Sequence, residues 1–225
     1  AADSARRAGD HGRVETMARA STDKRARILE AAQVHTARYG FRRTSMEDIA
    51  NQAGISRAAL YLLFRNKEEI FRAAAEELQA DALEAAAEAL KGDAPFEERI
   101  RTAIEAKTLR FVELAFGSPH GSEILDESNR LCGDVIGEAR QRFLELLTQA
   151  FRRAVQRGEV DLSRVELSAT QVAELLLRST QGLKGSGVAI DDYRRQLAAL
   201  VRVFLASMQP PARRSAAQRR AARTG

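Results

Sequence analysis

Five cations stand at particular places in the first third of the sequence: Arg42 and Arg43 just ahead of Thr44 and Ser45, Arg57 directly after Ser56, and Arg65 and Lys67 on either side of Asn66. Cations and hydroxyls at the starts of helices suit contact with phosphate, because the first amides of a helix already point their N–H groups at an anion and the cation neutralises it. An arginine can also offer its two-pronged fork to a base edge, which selects sequence where phosphate contact does not. Other chemistries do not converge. His11, His35 and His120 are far apart and Cys132 is the one cysteine, so neither a metal site nor a disulfide framework is expected, and no cofactor. His35 reads as a hydrogen-bonded core histidine and Cys132 as a buried, inert thiol. H-E-x-x-H, G-x-S-x-G and a glycine-rich phosphate loop after a strand are all absent, so no enzymatic activity is expected.

The elements that must position these cations are short. In SMEDIANQAGISRAALYLLF, Ser45 to Phe64, two helical phrases meet at Gly54. Thr44 with Glu47 is the predicted capping box of the first phrase, Ser56 caps the second, and Asn66 with Glu69 caps a third helix beginning at Lys67. Helical phase turns Ile49, Ala53, Ile55, Leu60 and Leu63 inward, with the small Ala50 where the two helices cross. A tight turn, a small crossing residue and surrounding apolar positions make a helix-turn-helix. Its second helix, Ser56 to about Leu62, is sized for the DNA major groove.

Around this unit the chain reads as all-α. A helix from Thr22 to Tyr39 ends at Gly40 and precedes the motif. After it come helices over about 67–91, 96–116, 121–132, 133–157, 168–184 and 191–208, about nine in all, and no strand pattern or internal repeat. The chain has 225 residues, 44% hydrophobic and 30% charged, enough for one or two cores. No apolar run is long enough to span a bilayer and no apolar leader opens the sequence, so a cytoplasmic protein without membrane contact is expected. Residues 1–70 carry thirteen Lys and Arg against nine Asp and Glu, residues 71–209 eighteen against twenty-two, and residues 210–225 five against none. Basic ends around an acidic middle point to a polyanion met by the terminal regions.

Thr44 to Phe71, TSMEDIANQAGISRAALYLLFRNKEEIF, resembles the signature of the TetR family of transcriptional regulators, and RILEAA before it and YGF at 39–41 extend the likeness over about residues 25–71. The resemblance implies an N-terminal three-helix DNA-binding domain and a C-terminal helical domain for dimerisation and a small effector. On that basis residues 1–20 are a disordered basic arm, 21–70 the helix-turn-helix domain, 71–209 the dimerisation and ligand-binding domain, and 210–225 an Arg-rich disordered tail. Carried over, Thr44 and Ser45 touch phosphate, Arg57, Ala58 and Ala59 face bases, and Tyr61 and Lys67 grip the backbone, with Arg42, Arg43 and Ser56 completing the DNA set. The sequence departs from the family where Ala58 replaces a usual Gly and where Leu62 and Leu63 replace a frequent Tyr-His pair.

The resemblance further implies a homodimer on a palindromic operator, released by a small molecule. The expected dimer face is Leu175, Leu176, Leu197, Leu200, Val201, Phe204, Leu205 and Met208. A pocket is expected among Phe111, Leu114, Phe116, Leu125 and Phe143, with Lys107, Arg178 and Gln181 as its polar candidates. The rival reading is an architectural DNA binder that uses its basic ends and ignores sequence.

Overall fold

The computed structural model describes residues 22–183 and 189–210, except for the side chains of residues 115 and 116. The basic arm and nearly all of the Arg-rich tail thus lie outside the described residues. Eight α-helices follow in order: α1 (22–39), α2 (Met46–Ala53), α3 (Arg57–Tyr61), α4 (Lys67–Lys91), α5 (Phe96–Phe116), α6 (Gly121–Gln156), α7 (Ala169–Ser179) and α8 (Ile190–Ala206). Short 3-10 turns at Leu162–Arg164 and Thr180–Leu183 complete the set, and no strand occurs among the described residues. Packing divides the chain into two compact units: the residues up to Glu84 with Lys107–Arg140, and Ala85–Ala106 with the described residues from Gln141 onward. No helix among the described residues is long and apolar enough to cross a membrane.

The first unit holds the helix-turn-helix. α1 buries Ile28, Leu29, Ala31 and Ala32 against Ile49, Ala50 and Ala53 of α2, Leu60 of α3, and Phe64, Ile70, Ala73 and Ala74. So many alanines let the helix backbones approach closely. Leu63, expected inward, is 37% exposed. A helix of five residues turns only one narrow face to the core, and Leu60 and Phe64 occupy it.

The termini show why these helices start and stop where they do. The capping box of α2 sits one residue later than expected: Ser45 Oγ accepts from Asp48 N–H and the Asp48 carboxylate accepts from Ser45 N–H. The Ser45 hydroxyl, which donates to that carboxylate at 2.6 Å, and then the Ser45 N–H hold the Asp48 carboxyl below its ordinary range. Thr44 cannot serve as the cap, because its buried hydroxyl donates to the Gly40 carbonyl at 2.7 Å and faces His35 Nδ1 at 3.1 Å. Ser56 caps α3 through Ala59 N–H, and Asn66 caps α4 through Glu69 N–H, both as expected. Gly54 ends α2 in the left-handed conformation (φ 64°, ψ 39°) and donates to the Ala50 and Asn51 carbonyls. The next free carbonyl, that of Ala53, accepts from the Arg27 guanidinium on α1.

Within α6 the two helices expected over 121–132 and 133–157 follow one another across a break at Cys132, whose backbone leaves helical geometry (φ −128°, ψ 15°). Arg72 of α4 braces the break: its guanidinium donates to the Leu131 carbonyl at 3.0 Å and clasps Asp134 at 2.8 and 2.5 Å. The clasp holds the Asp134 carboxyl far below its ordinary range. Cys132 is fully buried, and burial pushes its thiol up, as an inert cysteine requires.

In the second unit Phe96 meets Phe151 edge to face at 5.2 Å. The buried Arg99 donates to the Ala94 carbonyl at 2.9 Å and binds both Glu159 oxygens at 2.7 and 2.6 Å. Leu176, Leu197, Val201, Leu205 and Met208 belong to this unit's own core, so five of the eight residues expected at a dimer face are already covered. Helical phase finds an apolar stripe but not what covers it. Leu175 remains 46% exposed, Leu200 and Phe204 are half-buried, and Val203, absent from the expected set, is 72% exposed.

Gly54→Ala places a side chain in left-handed backbone, with its Cβ 2.9 Å from the Arg27 guanidinium. The variant should lose about 1–2 kcal/mol of stability, a drop of several degrees in Tm that calorimetry would register. An unchanged Tm would mean that the turn does not need this backbone conformation.

Candidate nucleic-acid interface

α3 presents one face outward. Ser56, Arg57, Ala58, Tyr61 and Leu62 are exposed, Ala59 is half-buried, and Leu60 and Phe64 are sunk in the core. At about 100° per residue, Tyr61 and Ala58 form the middle of the outer face, with Arg57 on one flank and Leu62 on the other. The Arg57 guanidinium lies over the Tyr61 ring, 5.5 Å from its centre. The neighbouring Tyr61 also favours the charged form of Arg57. Ring and fork thus lie together on the outward face. Ala59, expected to face bases, is turned partly toward the body and uses its N–H in the Ser56 cap.

Arg42 and Arg43 sit in the turn between α1 and α2, both exposed. Lys67 holds that turn from below. Its ammonium donates to the carbonyls of Phe41 (2.9 Å), Arg42 (3.3 Å) and Thr44 (2.9 Å) and lies 4.6 Å from the centre of the Phe41 ring. An ammonium has three N–H donors, and all three are used. Lys67, expected on phosphate, is thus a structural lysine that fastens the turn to the first residue of α4. Thr44, at 3% exposure, is likewise internal. Ser45 stays exposed at the start of α2, although its hydroxyl is already engaged with Asp48.

Glu123 of α6 completes this region, and no sequence signal marked it. Its carboxylate accepts from Arg42 N–H at 2.7 Å, and Arg42 Nε also lies 4.0 Å from Glu127. Gly40 makes the approach possible: its φ is 87°, and a Cβ there would stand 2.5 Å from a Glu123 oxygen. The turn carrying the two arginines is therefore held on one side by a cation and on the other by an anion.

Residues 28–74, which hold this arrangement apart from Glu123 and Glu127, match the model for "Bacterial regulatory proteins, tetR family". The uncharacterized HTH-type transcriptional regulator YhgD of Bacillus subtilis is 26% identical over 163 residues, 70% of this chain and 82% of that protein. Among solved structures, SmeT, titled the repressor of the Stenotrophomonas maltophilia multidrug efflux pump SmeDEF, matches with TM-score 0.61 at 22% identity, over 84% of this chain and 94% of that one. A SmeT–triclosan complex matches with TM-score 0.61 at 20% identity, over 84% and 93%. Residues 28–74 thus carry the tetR-family DNA-binding region. The chain is a DNA-binding transcriptional regulator. The exposed helix of that helix-turn-helix is α3.

Beyond the helix-turn-helix, the chain has an apolar cleft within the first unit. It runs between α1, α4, α5 and α6 and is lined by Ala32, Thr36, Phe71, Leu78, Phe111, Leu114, Ile124 and Ile136, among others, with Gln33, Gln79 and Ser128 as polar members. Its cavity volume is only about 60 Å³, so the cleft is a slit. Phe111 and Leu114 are where a pocket was expected, and Lys107 bonds to Gln79 on its wall. Leu125 does not line it. Phe143 is core of the second unit, Arg178 is paired with Glu174, Gln181 is exposed, and the side chain of Phe116 lies outside the described residues. Arg178 lines a separate shallow depression with Leu167, Gln171, Glu174 and Leu175.

Lys67→Met keeps the carbon stem but leaves three carbonyls without their donor. It should lower stability by about 1–3 kcal/mol, while the slope of log affinity against log salt for a bound duplex stays the same. A slope smaller by about one would return Lys67 to phosphate. Glu123→Ala should weaken DNA binding by about 0.5–2 kcal/mol with little change in Tm, whereas Glu123→Gln, which keeps an acceptor oxygen, should bind nearly as well. Equal binding by wild type and Glu123→Ala in a fluorescence titration would remove Glu123 from the interface.

Proposed function

We propose that this regulator is a homodimeric repressor that holds a palindromic operator through α3 and lets go when a small molecule occupies its helical body. The outward face of α3 carries the reading. Arg57 lies over the Tyr61 ring, Ala58 is small enough for close approach, and a packed core stands directly behind. Arg57 reads a base edge, Arg42, Arg43 and Ser45 meet phosphate, and Thr44 and Lys67 support them from inside.

Residues 21–70 read the DNA, and residues 71–209 serve dimerisation and ligand binding. Two recognition helices on successive turns of DNA must stand about 34–36 Å apart, which a two-fold dimer supplies. The apolar surface left for a partner is Leu175 and Val203, with Leu200 and Phe204 beside them. The slit between α1 and the longer helices supports a small, mostly apolar effector, since no charged side chain lines it. SmeT, alike in fold and solved with triclosan, is consistent with that class of ligand. The effector acts by preferring the conformer whose recognition helices are wrongly spaced, so its differential affinity, rather than its affinity, releases the operator.

Duplexes selected by the full chain from a random pool should contain an inverted repeat and outcompete random DNA. Arg57→Ala should bind the selected site about 1–3 kcal/mol more weakly and lose preference at one base pair in each half-site. Selection of no common sequence, with affinity set by salt alone, would instead assign binding to the basic ends.

A further inference from the structure

The outer face of α3 is chemically split. Arg57 and Tyr61 occupy one flank, and Ala58 and Leu62 the other. The second pair is one helical turn apart, joined by the hydrogen bond from Leu62 N–H to the Ala58 carbonyl at 3.2 Å. Leu62 keeps right-handed helical backbone (φ −70°, ψ −24°), so the spacing holds to the end of the helix. At 86% exposure it is the most open of the exposed large apolar side chains. Isolated surface leucines are ordinary. This one continues the face that meets DNA and has a small apolar neighbour on the same strip.

We propose that Ala58 and Leu62 read thymine by its C5-methyl group in the major groove. This rests on the assignment of α3 as the operator-reading helix. A flank without a donor or acceptor cannot pair with the N7 and O6 of guanine, the amino groups of adenine and cytosine, or the O4 of thymine. The one base feature it can recognise is the apolar methyl that thymine carries and the other three bases lack. Arg57 selects by hydrogen bonds on one side of the helix and Leu62 by apolar contact on the other, so each half-site combines a hydrogen-bonded base with a thymine some base pairs away. Leucine in place of the tyrosine frequent at this position in the family gives up a hydroxyl that phosphate could use and gains a group that only a methyl or a sugar can fill.

The test uses the full chain and a duplex selected by it from a random pool. Each thymine is replaced in turn by deoxyuridine, which keeps every hydrogen-bonding edge and removes only the methyl. At one or two positions per half-site the replacement should weaken binding about three- to fivefold, the scale of one buried methyl. Leu62→Ala, a change at an exposed site, should bind the thymine duplex more weakly by a similar factor and become indifferent to deoxyuridine at those positions while still responding to base changes opposite Arg57. If every deoxyuridine duplex binds wild type as well as its parent, Leu62 lies against sugar or solvent and the methyl reading is overturned. The same holds if the deoxyuridine penalty persists in Leu62→Ala. If no duplex is enriched at all, the operator reading itself fails, and this inference falls with it.

Discussion

A helix of five residues does not hold itself together. One or two backbone hydrogen bonds cannot offset the entropy of fixing its residues, and isolated helices well over twice this length are marginal in water. α3 exists because Leu60 and Phe64 are buried under it and because Ser56 and Gly54 terminate the chain on either side of the turn. Filling a leucine-sized site in such a core contributes on the order of 2–5 kcal/mol, more than the helix could supply. Burial of one narrow face therefore leaves the opposite face free, and that free face is what DNA can use. The brevity of the element is the reason it protrudes.

The charges around it are divided between structure and contact. Lys67 is enclosed by three carbonyls, Arg27 by the end of α2, Arg72 by Leu131 and Asp134. Arg42, Arg43 and Arg57 remain open to solvent. A count of positive residues does not separate these groups, although only the second is free to make direct contacts. Glu123 adds a link of another kind. It ties the arginine-bearing turn to the start of α6, a helix that also lines the apolar slit. A molecule that widens the slit acts on the same helix that positions Arg42.

Much of this was legible in the sequence for one physical reason: helix phase and capping are local. The bounds of α4 and α5, the Ser56 and Asn66 caps, the left-handed Gly54 and the burial of Ile49, Ala50, Ala53 and Leu60 all follow from residues within a few positions of each other. What failed was non-local. Thr44 looked like a cap until the Gly40 carbonyl and His35 claimed it, and Lys67 looked free until three carbonyls from 23 to 26 residues earlier enclosed it. Glu123 reaches back 81 residues to Arg42, a contact that no pattern announces. The α8 stripe was read correctly as apolar, but periodicity cannot say whether a stripe meets its own chain or another, and Leu197 and Val201 meet their own. The slit was half legible, since Phe111 and Leu114 are there and Phe143 is not.

The exposed face of α3 and the arginine-bearing turn differ from the basic ends in which backbone becomes covered when DNA arrives. Amide hydrogen exchange of the full chain, followed by mass spectrometry with and without a selected duplex, reads this directly. The account predicts slower exchange across residues 56–63 and across 42–46, with the core amides of α1 little changed. Protection confined to residues 210–225, with 56–63 exchanging as fast as in the free protein, would contradict it.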